Sequence, residues 1–246
     1  MAGQSITNRY GGMVQAQAVL FDLDNTLFDH QSSARAGLAG FLRHLGTEPT
    51  GELEQSWFGI EQLNYDRFLA NELSFHEQRR ERLRQFLPLA GMISPRTDTQ
   101  LDELFAAYLR NYEQAWTAFP DAAFALLRLR ANGMPVGVIT NGNHSQQTSK
   151  IKKIGLEPLL DSVFSSELMG HAKPDAKAFL LPCMSMDVSP AETLYVGDNY
   201  LTDIAGARNA GLQAIHLDRD GAGIRESIHS LAELIAHRAC LPAELQ

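Results

Sequence analysis

Five short apolar runs punctuate the chain, at 18–21, 136–140, 162–165, 193–196 and 213–217. Several are nearly continuous rather than alternating, which is the pattern of strands covered on both faces. Residues with helical patterning fill 122–131, 144–154, 175–184 and 203–210. Gly133 marks a stop after the first of these. Strand and helix in alternation predict an α/β fold, a parallel sheet with helices on both faces and right-handed crossovers. In such a sheet the ligand site lies off the carboxyl ends of the strands.

The first two runs are separated by residues 22–135, far more chain than one crossover helix requires. The intervening segments 32–45, 51–71, 74–87 and 98–116 all read as helix. In the last, Leu101, Leu104, Phe105, Tyr108, Leu109, Tyr112 and Trp116 fall on one face. Ser74 and Glu77 have capping-box spacing. The expected organisation is an α/β core from 15–29 and 117–246, with a helical cap, 30–116, inserted into it. Residues 1–14 are rich in glycine and polar side chains and read as a disordered leader, with Met13 a second candidate start.

Composition narrows the function. Hydrophobic residues make up 44% of the 246 and charged residues 20%, the ordinary globular range. A net charge of −8 argues against a nucleic acid polymer as partner, because such binding rests on a basic surface. A small substrate fits better. Cys183 and Cys240 are too few for a disulfide framework or a cysteine-rich zinc site, which fits a reducing cytoplasm. The N-terminus has no apolar signal core and no stretch of 18 apolar residues occurs, so neither export nor membrane insertion is expected.

The candidate chemistry sits at the ends of the predicted strands. VLFDLDNTLFD at 19–29 ends a greasy run with Asp22 and Asp24. The second run ends in Thr140-Asn141-Gly142, the fourth in Gly197-Asp198-Asn199 with Asp203 one turn on, and Lys173 follows the third. Taken singly these are weak signals: with 29 acids in the chain, acidic pairs two apart arise by chance, and Gly-Asp-Asn can be a plain turn. Their order and placement carry the weight. Four carboxylates on one rim would raise each other's pKa values unless a cation relieved them. Hard oxygen donors without His or Cys point to Mg²⁺. Thr140, Lys173 and backbone N–H groups near Asn141 complete what a phosphoryl group needs, so phosphoryl transfer is the leading reaction class.

The chain resembles the haloacid dehalogenase-like (HAD) superfamily of hydrolases, through FDLDNTLFD at 21–29, VITNG at 138–142, GHAKPD at 170–175 and VGDNYLTDIAGARNAG at 196–211. The resemblance covers the core from 18 to 217, and the insertion after the first motif resembles the C1-type cap of the subfamily I phosphatases. It implies a Rossmann-like sheet and a Mg²⁺-dependent phosphatase acting through an aspartyl-phosphate. By the same resemblance Asp22 is the nucleophile and Asp24 the general acid, then base. Asp22, the Asp24 backbone carbonyl and Asp198 would hold Mg²⁺, with Asp203 as a further ligand or support. Thr140 and Lys173 would bind the phosphoryl oxygens, and Thr26 would shape the loop. Dehalogenases of the superfamily keep the first Asp but do not need an acid at the second position, so Asp24 favours a phosphatase. Nucleoside monophosphates, sugar phosphates and phosphoglycolate are the substrate types implied.

Other features take plainer readings. The basic run at 150–153 reads as a solvated helix face, and so do Arg79, Arg80, Arg82 and Arg84, pairing with Glu77 and Glu81. Trp57, Phe58 and Trp116 read as cap core, and His30 as a cap-edge or hinge residue. A 2-haloacid dehalogenase, a phosphomutase and a non-catalytic binding protein on the same scaffold are the alternatives.

Overall fold

A computed structural model describes residues 4–7, 13–221 and 227–236, with side chains over 16–221 and 227–235, so Cys240 lies outside the described residues. The chain divides into two compact units, His30–Trp116 and the remainder.

In the larger unit, β1 (Gln4–Thr7) pairs antiparallel with β2 (Met13–Ala16), Ile6 opposite Val14. These strands lie in the stretch expected to be a disordered leader. Residues 1–3 and 8–12 lie outside the described residues. The main sheet contains β3 (Ala18–Phe21), β4 (Val136–Thr140), β5 (Ser162–Ser165), β6 (Thr193–Gly197), β7 (Gln213–Leu217) and β8 (Ser227–Ile228). Its order is β5-β4-β3-β6-β7-β8, and every pairing is parallel. The five strands expected from sequence are all present. β8, with two residues, is too short to carry a pattern.

β3 is central, with Val19 opposite Val136 on one side and Leu194 on the other, and all four of its residues are buried. From β3 the chain steps outward to β4 and β5, then crosses back to lay β6 on the other flank. In open α/β sheets such a reversal places the ligand site at the carboxyl ends of the strands beside it, here β3, β4 and β6. The core helices are α5 (Ala122–Ala131), α6 (His144–Lys153), α7 (Ser166–Met169), α8 (Lys177–Ser185), α9 (Gly206–Asn209) and α10 (Leu231–Ala236), numbered after the four helices of the insertion. Helix α8 starts at Lys177 rather than Asp175, and the Asp175 carboxylate just before it accepts from the Lys177 N–H at 3.0 Å. Leu20, Ile139, Phe179, Cys183 and Tyr195 pack in one buried cluster, and burial pushes the Cys183 thiol pKa up.

The insertion contains α1 (His30–His44), α2 (Gly51–Leu69), α3 (Phe75–Leu89) and α4 (Asp98–Gln114). Thr50 and Thr97 cap two of these helices, and Ser74 with Glu77 forms the expected capping box. Trp57 is fully buried between Phe86 and Tyr108, with ring centroids 4.9 and 4.7 Å away. His30 Nδ1 lies 2.8 Å from the Tyr112 hydroxyl. The arginines divide in two. Arg80 and Arg84 reach acids on the surface, Asp98 and Asp102 among them. Arg82 is buried instead, 4.6 Å over the Trp57 ring and 2.8 Å from Glu61, and burial with Arg82 nearby lowers the Arg79 pKa to about 10. The solvated-face expectation therefore fails for these two, because their guanidinium groups lie over aromatic rings, Phe75 and Trp57.

Gly37 sets the approach of α1 to α4. A Cβ there would lie 2.7 Å from the Tyr112 Cα, backbone that cannot rotate away. Gly37→Ala is expected to destabilise the protein by about 1–3 kcal/mol through overpacking, read in urea unfolding, whereas Gly59→Ala, with open space around the position, should not.

Among the described residues no helix is long and apolar enough to cross a membrane.

Candidate active site

The loop after β3 is a tight reversal. Leu23 O accepts from the N–H groups of Leu27 and Phe28, and Asn25 N–H returns to Phe28 O at 2.8 Å. Asn25 takes φ 60°, a left-handed conformation that asparagine tolerates better than most residues. Thr26 is buried inside the turn, and its carbonyl accepts from Arg219, which also grips Asp121. The turn therefore presents Asp22 and Asp24 from a fixed frame, and the Asp22 N–H extends the sheet to Val196 O at 2.9 Å.

Asp22, Asp198 and Asp203 each offer a carboxylate oxygen, and the three oxygens lie within 4.8 Å of one another. Asp203 reaches the group from a π-helical turn, Tyr200–Ala205, where a regular helix was expected. Asn199 caps that turn by accepting from the Leu201 and Thr202 N–H groups, while its own N–H donates to Asp203 Oδ2 at 3.0 Å. Gly197 leaves the room: a Cβ there would sit 2.5 Å from Asp203 Oδ2. Behind Asp198, His216 Nε2 donates to the Asp198 carbonyl at 2.7 Å, since a carbonyl can only accept.

Lys173 closes the cluster from within. Its Nζ lies 2.5 Å from Asp22 Oδ1, 2.7 Å from Asp203 Oδ1 and 2.9 Å from the Tyr195 hydroxyl. Three carboxylates thus face one ammonium. Burial pushes Asp22 well above the usual carboxylate range against the pull of Lys173, and Asp203, Asp198 and Asp24 add to the rise. Burial and then Asp203 push Asp198 up to about 7. Burial opposes the charge on Lys173, but Asp203 and Asp22 outweigh it and hold the ammonium well above the ordinary lysine value. Three hard carboxylate oxygens without His or Cys fit a divalent ion such as Mg²⁺.

Asp24 points elsewhere. Its carboxylate accepts from Lys150 Nζ at 2.6 Å and from Gln147 Nε2 at 2.7 Å, and the same amide donates to Thr140 Oγ1 at 2.5 Å. The expected site residues therefore fall into two groups: Asp22, Asp198, Asp203 and Lys173 meet directly, while Asp24 and Thr140 meet through Gln147. Of Asp24 only the backbone carbonyl was expected to touch a metal, and its carboxylate is not one of the three clustered ones. Asn141 uses its side chain to hold the Lys173 backbone, accepting from N–H at 2.8 Å and donating to O at 3.0 Å. The Gly142 N–H, one of the donors expected near Asn141, goes to Ser166 Oγ at 2.9 Å.

Sequence reasoning missed Gln147, Tyr195 and Lys150. For Lys150 the solvated-face expectation is wrong: it is buried, while Lys152 and Lys153 beside it are exposed. The available signal was position, since Gln147 and Lys150 share the inner face of the helix that begins just after Thr140.

Comparison with known proteins bears on this geometry. The family model described as haloacid dehalogenase-like hydrolase matches residues 16–211. A ribulose-1,5-bisphosphate 5-phosphatase from Halopiger xanaduensis is 32% identical over 206 residues, covering 82% of this chain and 85% of that protein. An (S)-2-haloacid dehalogenase, H-109, from Pseudomonas putida is 27% identical over 216 residues, covering 85% and 89%. In fold, the chain is similar to the magnesium-bound HAD-hydrolase YfnB from Bacillus subtilis, with TM-score 0.78, 24% identity and coverage of 90% and 97%. The match runs from β3 through the π-helical turn and so spans the strand ends that carry every acid of the site: the chain belongs to the haloacid dehalogenase-like hydrolase family.

Proposed function

We propose that the protein is a Mg²⁺-dependent phosphatase that hydrolyses the phosphate monoester of a small metabolite. The carrying observation is Asp24, a second carboxylate two residues beyond Asp22 and tied through Gln147 to Thr140. Halide leaves carbon without a proton, so the displacement step of a dehalogenase needs no acid at this position. An alkoxide leaving phosphorus does need one. The phosphatase named among the relatives supports the same reading.

In this reading an Asp22 carboxylate oxygen attacks phosphorus. The bond from phosphorus to the ester oxygen breaks, and that oxygen keeps the electron pair and takes a proton from Asp24. Water then attacks the aspartyl-phosphate, giving its proton to Asp24, and the bond from phosphorus to Asp22 breaks to release inorganic phosphate. Lys173 and Thr140 bind phosphoryl oxygens, with Lys173 also holding Asp22 in place. The carboxylates of Asp22, Asp198 and Asp203, with the Asp24 backbone carbonyl, would hold Mg²⁺, which when bound supplies positive charge against the phosphoryl oxygens. Residues 30–116 serve as a cap that excludes water during the first step and selects the substrate.

The test is phosphate release from nucleoside monophosphates, sugar phosphates and phosphoglycolate, in Mg²⁺ and in EDTA, alongside halide release from 2-haloacids. Metal-dependent phosphate release is expected, and Asp24→Asn should lower it by about 10²–10⁴-fold, the usual span of acid–base catalysis. Halide release that survives Asp24→Asn, with no phosphate from any ester, would replace this reading with a dehalogenase. Return of the phosphoryl group to a sugar would make it a mutase.

A further inference from the structure

We infer that Gln147 and Lys150 are positioning residues that hold Asp24 in register with Thr140. The inference rests on the phosphatase reading and adds two residues to it. Both side chains come from one turn of α6, three residues apart on the face turned to the sheet, and both are buried. Asn143 caps this helix by accepting from the Gln146 N–H at 3.0 Å, which fixes where the turn begins.

A buried lysine costs several kcal/mol unless it is paired. Lys150 meets that demand at Asp24 Oδ1, with the Phe28 ring centroid 4.9 Å from its Nζ. Phe28 belongs to the same reversal as Asp24, so the ammonium is seated on the loop it serves. Gln147 divides the two protons of its amide between Asp24 Oδ2 and Thr140 Oγ1. In its ionised form, the one that takes the proton of water in the second step, each oxygen of Asp24 therefore has its own donor, and both donors stand on one rigid element. Left to itself, a partly exposed aspartate would sample several rotamers.

The consequence is geometric. Thr140 receives the phosphoryl group and Asp24 moves the proton of the ester oxygen, so their separation decides whether proton and leaving oxygen meet. One side chain, Gln147, sets that separation, and Lys150 stops the carboxylate from turning away. Misplacement of a catalytic group by about 1 Å costs on the order of 10²-fold.

The experiment compares two esters. An alkyl phosphate needs a proton on its leaving oxygen, whereas p-nitrophenolate departs without one. With purified protein in Mg²⁺, Lys150→Met should lower kcat/KM for the alkyl ester by about 10²-fold and for p-nitrophenyl phosphate by less than about fivefold. Gln147→Met should show the same selectivity, with a higher KM for both esters because Thr140 loses its donor. Lys150→Gln, which keeps a donor, should restore part of the alkyl rate. Equal losses on both esters, or no loss in either methionine variant, would overturn the inference. Should Lys150→Met unfold on heating far below wild type, Gln147→Met and Lys150→Gln decide the question by the same ratio. A wild type that releases no phosphate from either ester defeats the phosphatase reading itself, a result distinct from loss of selectivity.

Discussion

Asp22→Asn is expected to abolish phosphate release, by about 10⁴-fold or more, and at the same time to raise the melting temperature measured in EDTA. The first effect follows, on the proposed mechanism, from removing the attacking oxygen. The second follows from the sign of the pKa shift. Burial holds the Asp22 carboxyl above its ordinary value, so the folded state binds its proton more tightly than the unfolded chain does. Between the unfolded and the folded pKa, ionised Asp22 therefore costs stability as pH rises. Asparagine keeps the shape and removes that cost, and Lys173 still has Asp203 at 2.7 Å. Thermal unfolding at pH 7 and pH 5 reads this directly: the advantage of the variant should be larger at pH 7. A variant that melts below wild type at pH 7 in EDTA would mean that Asp22 is a net structural support.

Lys173→Met is expected to do the opposite to the fold while also removing activity. Breaking a buried pair by deleting one partner costs about 3–5 kcal/mol, since the other charge is left uncompensated. Here Asp22 and Asp203 both lose their ammonium. Because Asp203 and Asp22 raise the Lys173 pKa, its contribution is fully present at neutral pH and is lost only as pH rises through that raised value. Two readouts follow. The stability gap between wild type and variant should narrow as pH falls and the carboxylates take up protons. Mg²⁺ should return part of the lost melting temperature, because a second cation takes over the task of the first. If Mg²⁺ shifts neither protein, the three carboxylates do not form a metal site, whatever the activity assay gives.

The fold was legible in the sequence because its signals are local. The strand runs at 18–21 and 136–140 are almost purely apolar, and burial on both faces of a parallel sheet writes that pattern directly. Asp22, Asp198 and Lys173 could be placed by their position after a strand. What stayed hidden depends on partners distant in sequence. Lys150 looks like Lys152 and Lys153 until Asp24, far earlier in the chain, is seen to face it. Arg82 reads as surface charge until Trp57 is found beneath it. Tyr195 reads as a strand filler, yet its hydroxyl stands 2.9 Å from the Lys173 ammonium. The π-helical turn at Tyr200–Ala205 has no sequence pattern of its own, and it carries Asp203 to within contact of Gly197.

The two ends of the insertion are stitched together inside the core. Asp29 N–H bonds Thr117 O at 3.0 Å, Phe119 N–H bonds Leu27 O at 3.0 Å, and Phe28 bridges antiparallel to Ala118. This neck changes the folding problem of the sheet. Without it, pairing β3 with β4 closes a loop that contains the whole insertion. Once the neck has formed, the same pairing closes only the short ring through α5. Loop closure costs about 0.6 kcal/mol for each doubling of length, so the neck relieves the central strand pair of about 1 kcal/mol and moves the cost of closing the insertion to the neck itself. It also makes the length of the inserted segment nearly irrelevant to the register of the strands on either side.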